Sequence, residues 1–153
     1  MAITKRGKYS YGENQSDLRQ DMAVYSEMNK YPIDHYVDCK CECGHHLFDF
    51  YLDDVAGVAG RVCANCDKQH AMGDSAQFLD EADPEAIACF CDTEKFEITA
   101  GVHVYRDDKE LNILSDHVRW LYIGLRCPTC GLLGVYGDWK NDYHPLDEFL
   151  AML

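Results

Sequence analysis

No stretch of the chain approaches the ~20 apolar residues that a membrane-crossing helix needs, which excludes a spanning helix. The opening residues, "MAITKRGKYSYGENQ", contain nothing like the apolar core of a secretion signal, so the expected setting is a reducing cytoplasm. Basic charge is scarce as well: 14 Lys+Arg stand against 27 Asp+Glu, a formal net charge of −13. Such a surface repels phosphate backbones and attracts basic proteins. No histidine lies two positions before a glutamate, so the H-x-E element of a deaminase-type zinc site is missing. Finally, 153 residues are few for two independent cores without staples.

Cysteine, in contrast, is abundant, with nine in the chain. An odd count in a reducing compartment points to metal ligands rather than disulfides. Eight of them fall into a repeat. Cys41-x-Cys43 precedes the alternating strand pattern Phe48, Phe50, Leu52, and Cys89-x-Cys91 precedes Phe96, Ile98, Ala100, Val102 and Val104 at the same offset. Cys63-x-x-Cys66 and Cys127-x-x-Cys130 are each followed, after six intervening residues, by Gly-Asp: Gly73-Asp74 and Gly137-Asp138. The second copy is longer between its cysteine pairs, which predicts an extended hairpin around residues 107–116, with "DDKE" in its turn.

Two sulfurs on a tight knuckle, set opposite a second knuckle at a neighbouring strand end, complete a tetrahedral site of four thiolates. The predicted ligands are Cys41, Cys43, Cys63 and Cys66 for one zinc ion, and Cys89, Cys91, Cys127 and Cys130 for a second. Pairing across the copies stays open at this level. Cys39 has no counterpart in the register, where Ile87 takes its place. An extended segment would aim it the same way as Cys41 and Cys43, but a buried thiol packing as a small hydrophobe is the simpler reading. His45, His46 and His70 also lack counterparts and read as loop or strand-edge residues. Gly-Asp in both copies reads as a turn signal.

This layout resembles the zinc-ribbon family over roughly residues 41–138, and "CPTCG" at 127–131 resembles the second knuckle of rubredoxin. The first knuckle departs from the usual C-x-x-C by being C-x-C in both copies. The resemblance implies a structural device with closed coordination, and no activity. An apolar spacing at Leu18, Met22 and Tyr25, capped by Asn14 or Ser16, predicts an N-terminal helix. Leu146, Phe149, Leu150 and Leu153 predict a C-terminal one.

The expected fold is therefore α+β: two duplicated antiparallel zinc-ribbon lobes between two helices. Its parts would be a helix and lead-in at 1–38, a first lobe at 39–76, an acidic linker at 77–86, a second lobe with a long hairpin at 87–140, and a closing helix at 141–153. Small acidic proteins of this build look like the immunity proteins of bacterial toxin systems, which implies a basic protein partner such as a toxin domain, and neither catalysis nor nucleic-acid binding. Candidate partner-binding residues are Asp80, Glu81, Asp83 and Glu85 in the linker, with Asp107, Asp108 and Glu110 at the hairpin tip. The competing expectations are an accessory protein of transcription or translation, with Lys5, Arg6 and Lys8 as its basic cluster, and a dithiol redox protein using Cys127 and Cys130.

Overall fold

The computed structural model describes residues 3–153. A small hairpin, β1 (Thr4–Arg6) and β2 (Tyr9–Tyr11), leads into helix α1 (Gln15–Met28). Asn14 caps the helix, its side chain accepting from the Asp17 amide at 3.0 Å. Next come β3 (His35–Asp38), β4 (Phe48–Asp53), β5 (Val58–Cys63) and β6 (Gln69–Ala71). A 3-10 turn over Ser75–Glu81 and the short β7 (Glu85–Ala86) connect to β8 (Lys95–Asp108), β9 (Ile113–Arg126), β10 (Leu132–Lys140) and helix α2 (Leu146–Ala151). The expected lead-in at 1–38 begins with two residues, 1 and 2, that lie outside the described ones.

The strands form one antiparallel sheet in the order β1-β2-β10-β9-β8-β4-β5-β6, with β3 added along β8 and β7 along β4. This corrects the expected α+β architecture. The chain is mostly antiparallel sheet, its two helices are short, and they do not flank two lobes, because the copies are fused edge to edge through β4 and β8. The physical reason is that strand-edge pairing is a long-range event with no local sequence signal, whereas separate lobes would leave two bare strand edges.

The repeat is visible in the hydrogen-bond register. Asp49 faces Val62 in the first copy and Glu97 faces Arg126 in the second, and the third strands match too, with Gly60 opposite Ala71 and Gly124 opposite Val135. Where the copies meet, Phe48 faces Phe96, the same position of the repeat on both sides. The two copies are thus related by a local twofold through that pair. The segment before each C-x-C obeys it as well: β3 crosses to pair Asp38 with Thr99 of the second copy, while β7 pairs Ala86 with Tyr51 of the first.

One face of the sheet carries the main core. Phe48, Phe50, Ala59, Phe96, Ile98, Ala100, Ile123 and Leu125 are buried there, under Phe149 of α2 and Leu153. The opposite face is treated unequally. Over β8, β9 and β10 it is closed by Leu18 and Met22 of α1, packed on Tyr122 and Leu133. Among the described residues no α-helix lies over β4, β5 and β6, and the 3-10 turn packs against β5.

Candidate metal centres

Each C-x-C pair lies on a turn that the backbone closes on itself. The Gly44 amide donates to the Cys41 carbonyl at 2.8 Å and the Cys41 amide to His45 at 2.9 Å; in the second copy Asp92 donates to Cys89 at 2.9 Å and Cys89 to Thr93 at 2.8 Å. The C-x-x-C knuckles repeat the device: Asp67 donates to Cys63 at 3.0 Å and Gly131 to Cys127 at 2.9 Å. All four turns are closed by a residue with positive φ, Gly44 (94°), Asp67 (63°), Asp92 (72°) and Gly131 (82°). Glycine and aspartate are among the residues that reach this region at least cost.

These turns bring four sulfurs together within each copy. Cys41 and Cys66 stand 3.5 Å apart and Cys43 and Cys63 3.6 Å; in the second copy the same positions, Cys89 with Cys130 and Cys91 with Cys127, stand 3.5 and 3.6 Å apart. Within each group all four sulfurs lie inside 4.8 Å of one another. An ion bound tetrahedrally at a metal–sulfur distance of 2.3 Å spaces its ligands by about 3.8 Å, so both groups fit one such ion each. Ligands do not cross between the copies.

Hydrogen bonds favour thiolate at the exposed cysteine of each C-x-C pair, while the exposed cysteines of the C-x-x-C pairs, Cys66 and Cys130, are pushed up. The amide of His45 and the side chain of Asn65 bring the Cys43 thiol down to about 6. The hydroxyl and amide of Thr93 do the same for Cys91, also to about 6. In each group the first cysteine of each pair is buried and the second exposed, so a metal would be anchored from the core while the rim sulfurs accept outer hydrogen bonds.

Cys39 stands outside both groups. It is buried, its Sγ lies 3.8 Å from the Leu153 carbonyl oxygen, and burial pushes its thiol up to about 11. The histidines also fall outside. His46 lies 3.8 Å from Glu97, and His70 meets the Met152 carbonyl at 2.7 Å. Gly73-Asp74 does form a turn, but Gly137-Asp138 does not, since it lies inside β10 just past a bulge. Asp138 there accepts from Tyr25 and Trp120, both at 2.9 Å. The turn reading thus holds for one copy only, because β6 ends at Ala71 whereas β10 continues through Gly137 to Lys140.

The acidic candidates are not brought together. Asp80 and Glu81 end the 3-10 turn, the Asp83 amide donates to Asp53 at the far end of β4, and Glu85 lies on β7. Asp107, Asp108 and Glu110 sit at the tip of the β8–β9 hairpin, where Asp108 accepts from the Leu111 amide at 3.0 Å. Since β4 and β8 run away from their junction in opposite directions, the two clusters occupy opposite ends of the sheet.

Two residues that the pattern did not single out lie beside the sites. Arg61 is a buried cation with its guanidinium 4.6 Å above the Phe48 ring and 2.9 Å from the Leu153 carbonyl. Phe90, between Cys89 and Cys91, is 75% exposed and meets Tyr9 edge-on at 5.3 Å. The only signal for Arg61 was a charge at a core-facing strand position; Phe90 carried none. Neither a family model, nor a curated protein, nor a solved structure matches this chain.

Proposed function

We propose that this is a non-catalytic, zinc-stapled binding protein that engages a basic protein partner in the cytoplasm. The observation that carries the reading is the pair of complete four-thiol groups, one per copy. Four sulfurs around zinc close its coordination sphere and leave no position for an activated water. Zinc bound there contributes folding free energy, on the order of 10 to 16 kcal/mol in small fingers. Cys127-x-x-Cys130 leads into strand β10 rather than a helix, unlike a dithiol redox motif at a helix N-terminus.

The partner class follows from charge. A net −13 is deepened when eight thiolates outweigh two divalent ions, and such a field speeds encounter with a cation-rich protein. Neutralisation of a cationic toxin domain, as by an immunity protein, is the specific form of this role that we favour. Metal analysis should give two zinc ions per chain, and the loaded protein should capture a basic partner in a salt-sensitive manner. Lys substitutions in both acidic clusters that leave that capture unchanged would reject the charge argument.

A second reading rests on the exposed hairpin of β1 and β2, where Lys5, Arg6 and Lys8 lie beside Tyr9 and Phe90 at the C-x-C knuckle of the second copy. Basic residues next to an exposed aromatic pair suit a single-stranded nucleic acid. Retention of RNA or DNA by the loaded protein at physiological salt, lost on Phe90→Ala, would decide for it.

A further inference from the structure

The local twofold relates the outer face of β4, β5 and β6 to the face that α1 covers. On the covered side Gly124 forms the floor, and a Cβ added there would meet Met22 Sδ at 2.5 Å and Leu18 Cδ1 at 3.1 Å, so the helix lies directly on the strand backbone. Its repeat counterpart is Gly60, where an added Cβ would meet only the His70 carbonyl at 3.6 Å. Above it is an open groove of about 510 Å³ lined by Tyr51, Gly60, Val62, Gln69, Ala71 and Leu79 among others. Tyr51 and Leu79 are 37% and 45% exposed.

The chain cannot fill this groove from its own repeat. The first copy is preceded by a long segment, which forms α1 before β3. The corresponding segment of the second copy, between β6 and β7, is only residues 72–84, which the 3-10 turn occupies. That turn covers Val58 at one end of the groove and leaves the rest open. Its continuation brings Asp80, Glu81, Asp83 and Glu85 alongside Leu79 and Pro84 of the groove wall, all four acids exposed.

We propose that this groove docks a basic amphipathic helix of the partner, its small apolar face over Gly60 as α1 lies over Gly124 and its Lys or Arg flank toward Asp80, Glu81, Asp83 and Glu85. The proposal rests on the basic-partner reading above and adds where and in what form the partner binds. A helix is about 10 Å across and three strands span about the same width, so a single helix fills the face. Helix-in-groove recognition of this kind uses apolar anchors at helical spacing.

The test is a displayed library of helices of about 18 residues, with Ala, Leu and Met on one face and Lys or Arg flanks, panned against the zinc-loaded protein beside a Glu-flanked library. Binders should come from the basic library and weaken by about tenfold or more on Gly60→Arg and on Gly60→Gln, with the urea midpoint of both variants kept. Equal yield from the two libraries, or binders indifferent to both Gly60 variants, would overturn the proposal. So would self-association of the wild type that Gly60→Arg abolishes, because the occupant would then be a second copy. Natural basic-partner capture that responds to acid reversal but not to Gly60→Arg rejects the helix dock and leaves the broader reading standing. Loss of capture in neither case rejects both.

Discussion

Phe48 and Phe96 pair across the junction of the two ribbons and are the same residue of the repeat, both fully buried. The sheet is continuous because of this contact, so the copies should unfold together. Phe48→Ala and Phe96→Ala should each cost about 3 to 5 kcal/mol. The double variant should depart from additivity by roughly 0.5 to 3 kcal/mol, since the rings share one site. Urea unfolding at saturating zinc reads all three values, and strict additivity would argue that the copies are energetically separate.

The same junction marks where sequence reading succeeds and stops. Cysteine spacing and two-residue alternation are local, and they located both sulfur groups and the strands at Phe48 and Phe96. Pairing of β3 with β8 and of β7 with β4 joins segments distant in the chain, and neither strand carries a pattern naming its partner. Without those pairings the copies read as two lobes and the class as α+β. Gly137-Asp138 misled for a related reason: the long β9 goes on pairing with β10 past the bulge after Val135, so an apparent turn signal lies in strand. The bare face at Gly60 became visible only once α1 was seen over Gly124.

Those two glycines give a contrasting pair of variants. Gly124→Ala drives a methyl into Met22 and Leu18, so overpacking should cost about 1 to 3 kcal/mol and loosen α1. Gly60→Ala meets nothing closer than an ordinary contact and, by stiffening the unfolded chain, should be neutral or stabilising by up to about 1 kcal/mol. Equal losses would show that the two faces are equally packed.

Metal stoichiometry separates Cys39 from its neighbours. Cys41→Ser should lower bound zinc from two ions per chain to one, while Cys39→Ser should keep two. The latter places a hydroxyl where a buried thiol packs near Leu153, at a cost on the order of 1 to 3 kcal/mol. Zinc per chain by elemental analysis checks both, and equal metal loss from the two variants would refute the ligand assignment.

Acid should weaken the fold through two histidines that belong to neither four-sulfur group. Burial lowers His70 and His103, the latter held by the Pro32 carbonyl at 2.8 Å between Asp34, Arg106 and Arg119. Folded, both refuse a proton that the unfolded chain accepts near its ordinary value of about 6.5. Stability is therefore full above that pH, declines as pH falls below it, and levels off once the folded histidines also protonate. Thiolate protonation releases zinc at low pH too, so the urea midpoint must be followed with zinc content held and measured. Under that condition, replacing both residues by Gln, which keeps a donor for each carbonyl, should flatten the decline below about pH 6.5. An unchanged slope in the double variant would assign the acid sensitivity to the sulfur sites alone.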